Sequence, residues 1–207
     1  LAHEQQFEVF GLPAGTVATV VETVGGTGFT PAYYDNGALG DGEVTVVKDS
    51  TVSVMVVNDY HATEVYPVNI TVTGNKQLVG TAWTAKHSFN FRLEKLLADG
   101  SWEKLGEEAT AKEGSTSFDF KDAFATERYT THGSYYYRII ELQPASPLGG
   151  ISYDKTVHSF AVHVADKDMD GQLEIIEVVS DRPNTTVVTQ TNNGWNVNAN
   201  FTNTYSA

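Results

Sequence analysis

The chain predicts an all-β protein made of two tandem antiparallel β-sandwich domains, the first missing its opening strands. Three observations carry the all-β class, and the tandem reading rests on Glu22 and Asn58 echoing Glu141 and Asn203. The apolar runs are short and β-branched, they are bounded by Gly, Asn, Asp or Thr, and long helical periodicity is missing. In chain order, strands are expected at Val17 to Val21, Val44 to Val47, Val52 to Val57, Val68 to Val72 and Phe89 to Leu93. Further strands are expected at Tyr135 to Ile139, Phe160 to Val164 and Leu173 to Val179. Asp99-Gly100 and Asp170-Gly171 fall between such runs and read as hairpin turns, because Gly accepts the positive φ that tight turns demand. A short helix is expected near Lys121 to Glu127. The boundary falls between His61 and Pro67, which gives domains at 1–64 and 65–207.

Composition narrows the function classes. In 207 residues, 26 acidic side chains face 13 basic ones, a formal charge of −13. Nucleic acid and anionic membrane surfaces need a concentrated basic face, so neither is a partner. Cysteine is absent, which removes disulfides and thiolate chemistry. No apolar stretch reaches membrane-spanning length. Neither a signal peptide nor a C-terminal sorting pentapeptide is seen, and the chain reads as a fragment of a longer protein.

Three residues far apart in sequence share strand-like settings. Lys76 lies in Gly74-Asn75-Lys76-Gln77-Leu78-Val79-Gly80, Glu141 ends Tyr135-Tyr136-Tyr137-Arg138-Ile139-Ile140-Glu141, and Asn203 lies in Phe201-Thr202-Asn203-Thr204-Tyr205. By alternation, Glu141 shares a face with Tyr135, Tyr137 and Ile139, and Asn203 with Phe201 and Tyr205. In this order, with Phe89-Asn90-Phe91-Arg92-Leu93, Gly150-Ile151-Ser152-Tyr153-Asp154 and Phe160 to Val164, the chain resembles the isopeptide-containing domains of Gram-positive pilins and surface adhesins. The resemblance is to the streptococcal FctA-like backbone-pilin type, and covers about residues 67 to 206.

That resemblance implies an Ig-like, Cna-B-like sandwich and a self-formed amide between Lys76 and Asn203, assisted by Glu141. It implies a structural stalk or pilin segment, extracellular and attached to the cell wall, with no enzymatic turnover and no cofactor. Its partners would be neighbouring domains of the same surface protein or other pilus subunits. The runner-up is an adhesin module that presents its loops to a host glycan or protein.

The chemistry requires burial. A protonated lysine is no nucleophile, but an apolar core disfavours its charge and also disfavours ionisation of a nearby glutamate. A proton passed between them leaves a neutral amine and a neutral acid. Lys76 can then attack the Asn203 side-chain carbon while Glu141 hydrogen-bonds the carbonyl oxygen and moves protons as ammonia leaves. Glu22 and Asn58 occupy comparable places in the first domain, but its lysine, Lys48, lies on the wrong side of the repeat. The expectation there is no cross-link, or one whose lysine lies upstream.

Other signals compete less well. Asp166-Lys167-Asp168-Met169-Asp170-Gly171 with Glu177 fits a calcium-loop pattern, but its flanks alternate like strands. A hairpin turn with clustered acids is preferred, with Asp166, Asp168 and Asp170 kept as a weak calcium candidate and no other metal site expected. His3, His61, His87, His132, His158 and His163 are scattered and read as surface or strand residues. Gly25-Gly26-Thr27-Gly28 has no following helix to form a phosphate cradle.

Overall fold

A computed structural model of the chain describes residues 5–23 and 26–206, so His3 and Gly25 lie outside the described residues. The chain divides into two compact units, Leu1–Ala62 with Asp168–Gly171, and Thr63–Lys167 with Gln172–Ala207.

The first unit holds β1 (Val17–Thr19), β2 (Phe29–Asp35), β3 (Ala38–Gly40), β4 (Glu43–Thr45) and β5 (Val54–Tyr60). β1 pairs β4, and β2 sits between β3 and β5 in a second sheet, all antiparallel. The β2–β3 hairpin turns at Asn36-Gly37, where both residues take positive φ, at 51° and 87°. Side chains of this sheet are thinly covered: Leu39 of β3 is 75% exposed and Met55 of β5 54%.

The second unit continues with β6 (Ile70–Val79), β7 (Ser88–Leu96), β8 (Trp102–Lys104), β9 (Ala109–Lys112) and β10 (Ser117–Asp119). It closes with β11 (Gly133–Glu141), β12 (Ile151–Ser152), β13 (His158–Ala165), β14 (Glu174–Ser180), β15 (Thr186–Thr191) and β16 (Gly194–Tyr205). One sheet runs β10-β6-β16-β12, with β15 also on β16; the other runs β14-β13-β11-β7-β8, with β9 also on β7.

Alternation decides which faces meet. Along β6 the buried residues are Ile70, Val72, Gly74, Lys76 and Leu78; along β16 they are Val197, Ala199, Phe201 and Asn203. Phe89, Phe91 and Leu93 of β7, with Tyr137 and Ile139 of β11, are buried on the other sheet. Aromatic rings span the interior: Phe91 stacks on Phe118 with centroids 3.9 Å apart, and Phe201 lies 4.9 Å from Phe91.

Two expectations change. The sandwich is antiparallel as read, except that β6 and β16 pair in parallel, with Phe201 opposite Lys76 and Asn203 opposite Leu78. The first and last strands of this unit therefore run side by side in one direction. The short helix expected near Lys121 to Glu127 is instead a run of turns. Its backbone bonds reach three residues back (Ala123 to Phe120, Ala125 to Asp122, Glu127 to Phe124), and Asp122 takes φ 54°, which stops an α-helix from propagating. Asp99-Gly100 forms a tight hairpin turn, with Gly100 at φ 84°, whereas Asp170-Gly171 lies in the longer 166–173 connection between β13 and β14, with Gly171 at φ 83°.

Candidate cross-link site

Each of the three predicted residues arrives on a different strand. Lys76 points inward from β6 because it falls on the apolar phase of the alternation, and Asn203 does the same from the adjacent β16. Glu141 ends β11 on the facing sheet, opposite Phe91 of β7. Residue exposures are 3% for Lys76, 6% for Glu141 and 0% for Asn203.

The polar atoms close on one another. Lys76 Nζ donates to Glu141 Oε2 at 2.7 Å and to Asn203 Oδ1 at 2.5 Å. Asn203 Nδ2 donates to Glu141 Oε1 at 2.7 Å. Phe89, Phe91 and Phe201 wall the amine, their ring centroids 5.2, 6.0 and 5.9 Å from Nζ. Phe89 is itself backed by Trp83 and Tyr153, with centroids at 5.5 and 5.8 Å.

Electrostatics follow from this burial. Loss of hydration pulls the Lys76 ammonium below its ordinary pKa, although Glu141 and Asp154 act to restore it. Loss of hydration likewise pushes the Glu141 carboxyl up, against the opposing pull of Lys76. Both shifts favour a neutral amine beside a neutral acid. An ion pair this deep gives back in desolvation much of what it gains in attraction, so the pair holds its charge weakly.

The structure differs from the sequence reading in one detail. Glu141 faces the amide nitrogen of Asn203, not its carbonyl oxygen. Oδ1 instead accepts the backbone N–H of Asp154 at 2.7 Å, beside Lys76 Nζ. A backbone N–H can only donate, so it fixes which end of the carboxamide is oxygen. Sequence reasoning used Asp154 only as part of the resemblance. The available signal was its position before Lys155-Thr156, where an aspartate readily accepts the N–H two residues on.

In the first unit, Asn58 Nδ2 donates to Glu22 Oε1 at 2.9 Å, and the Glu22 N–H donates to the Tyr33 hydroxyl at 3.1 Å. Glu22 Oε2 is buried and has no hydrogen-bond partner among the described residues. Phe29 opposes Tyr60 across β2–β5 as Ile151 opposes Tyr205 across β12–β16. Asn58 and Asn203 each stand two residues before those tyrosines. Lys48 is exposed. Asp166, Asp168 and Asp170 bring carboxylate oxygens within 4.8 Å of one another in the β13–β14 connection, and strands on both sides exclude a helix-flanked calcium loop.

Residues 72–206 match the family FctA, described as a Spy0128-like isopeptide containing domain. The chain belongs to the FctA family. Among solved structures it is similar to the major pilin of Streptococcus pyogenes, at 20% identity and a TM-score of 0.35, over 67% of this chain and 50% of that one. It is also similar to the T-13 major pilin of the same organism, at 16% identity and a TM-score of 0.38, over 66% of this chain and 52% of that one. The chain spans about half the length of these pilins. No curated protein sequence matches it. Within the FctA match lie β11, β16 and nearly all of β6, hence every side chain of the buried cluster.

Proposed function

We propose that the chain is a load-bearing segment of a pilus or related cell-surface protein, with Lys76 and Asn203 joined by an autocatalytic isopeptide bond. Membership of a pilin-type isopeptide family supports the structural role. The carrying observation for the bond is the closed, dry arrangement of amine, carboxyl and carboxamide, with both donor–acceptor contacts to Glu141 at 2.7 Å.

The step balances around Glu141. With the lysine neutral and the acid protonated, Nζ attacks Asn203 Cγ and the carbonyl electrons move to Oδ1. Glu141 takes one proton from Nζ on Oε2 and gives one to Nδ2 from Oε1. The Cγ–Nδ2 bond then breaks, the carbonyl reforms, ammonia leaves, and Glu141 ends protonated as it began. Each molecule reacts once, with itself as substrate.

The division at residues 1–64 and 65–207 belongs to the same reading: the first part is a partial repeat resembling the second half of the same sandwich, in which the β2–β5 pair answers to β12–β16. Its Glu22–Asn58 pair repeats two of the three reactive groups, so the first part holds either no cross-link or one whose lysine lies upstream. Neighbouring domains and pilus subunits are the partners, at the cell wall.

Intact-mass measurement tests the bond. The folded protein should be lighter than its sequence by one ammonia, and a digest should yield the Lys76 peptide joined to the Asn203 peptide. Full sequence mass in the folded wild-type chain refutes the proposal.

A further inference from the structure

Asn203 Oδ1 receives two donors, and only one of them can remain a donor through the reaction proposed above. Lys76 Nζ must give up a proton and become the attacking atom. The Asp154 N–H, at 2.7 Å, stays where it is. We infer that this backbone N–H is the oxyanion donor of the cross-linking reaction, and that the Asp154 side chain is the clamp that aims it.

The clamp is visible in the local chain path. β12 leaves β16 after the Ser152–Thr204 pair. Beyond it, Asp154 turns its N–H away from the backbone ladder and toward a side chain. Its carboxylate then grips the surrounding main chain at two points. Oδ2 accepts the N–H of Thr202 at 2.8 Å, one residue before Asn203, and Oδ1 accepts the N–H of Thr156 at 2.8 Å. The donor and the reacting carboxamide are thus tied to each other through one residue.

The chemistry needs such a donor. Attack on Cγ moves an electron pair onto Oδ1, and in this desolvated site a bare oxyanion has no water to stabilise it. A fixed N–H already aimed at Oδ1 holds that charge without any reorganisation. Glu141 cannot serve, because both of its oxygens are engaged with the two nitrogens between which the proton must travel. The division of labour is therefore complete: Glu141 handles protons, and Asp154 N–H handles the oxygen. The same N–H remains bonded to the carbonyl of the finished isopeptide.

This inference rests on the cross-link proposed above, and the test separates the two. The unlinked chain, recovered in denaturant, is diluted to refold and the loss of ammonia is followed by intact mass. In a second chain the Tyr153–Asp154 amide is replaced by an ester, which deletes this one N–H and leaves every side chain in place. Folding of both is checked by circular dichroism. The ester chain should lose ammonia about 100- to 1,000-fold more slowly, the usual cost of removing one oxyanion donor. Equal rates overturn the inference while leaving the cross-link intact; no ammonia loss in the unmodified chain removes both. A measurement on the folded wild-type protein stands beside this in case the ester chain does not fold. The linked protein should show a through-hydrogen-bond NMR coupling between the Asp154 amide nitrogen and Cγ of residue 203, and absence of that coupling overturns the assignment.

Discussion

Glu141 carries the sharpest single-residue expectation. Glu141→Ala leaves Lys76 without its proton acceptor and the leaving ammonia without its donor. The variant should fold and retain full sequence mass, and a mass lower by one ammonia would remove Glu141 from the mechanism. His158 offers a second test, unrelated to the bond. It is fully buried, its Nδ1 lies 2.7 Å from Thr186 Oγ1, and its Nε2 has no hydrogen-bond partner among the described residues. Burial holds its pKa below the ordinary histidine value. A depressed folded pKa means that stability is full above the unfolded value of about 6.5 and is lost as pH falls through the folded one. Denaturant midpoints should therefore drop below about pH 6.5, with a slope approaching about 1.4 kcal/mol per pH unit, and His158→Gln should flatten this part of the curve. Asp154 lies below its ordinary pKa as well. Burial acts to raise it, but hydrogen bonds from Thr156 and Thr202 outweigh that, so its contribution disappears only in stronger acid, below about pH 4.

Among the strands, the parallel contact of β6 with β16 sets the site, and Gly74 shows how tightly it is packed. A Cβ on Gly74 would stand 2.1 Å from the Phe118 ring, which also stacks on Phe91 in the wall around Lys76. Gly74→Val should thus destabilise the second unit by about 1–3 kcal/mol through overpacking. Chemical denaturation in a Glu141→Ala background would read this without the covalent bond; an unchanged midpoint would mean that Phe118 moves aside freely. β6, β7, β11 and β13 were legible from alternation because each has one dry face and a period of two then appears directly in residue type, whereas short strands without such a face, such as β3 and β8, left no signal. The 121–127 segment was misread as a helix because helical composition says nothing about the positive φ at Asp122.

For the molecule as a whole, the proposed bond joins residues 127 positions apart in sequence. By the loop-entropy relation for disulfides, such a closure contributes about 5 kcal/mol, and a cross-linked chain should melt well above Glu141→Ala. The mechanical consequence is larger. Joining the first and last strands of the unit sends force through the amide, so the intervening strands never lengthen. Glu141→Ala should release roughly 400 Å of extra contour length when pulled, at about 3.4 Å per residue. Equal extensions for the linked and variant proteins would defeat the stalk reading.

Residue order alone carried the all-β class, the hairpin at Gly100, and the inward phase of Lys76, Glu141 and Asn203, since strand periodicity and turn chemistry are local. It could not tell that β16 lies parallel to β6, that Glu141 addresses the amide nitrogen, or that a main-chain N–H holds the oxygen. Those facts depend on which strands become neighbours and where a loop backbone passes. Backbone amides are the same at every position, so nothing in residue type marks the one at Asp154, and only the folded chain brings it to Asn203.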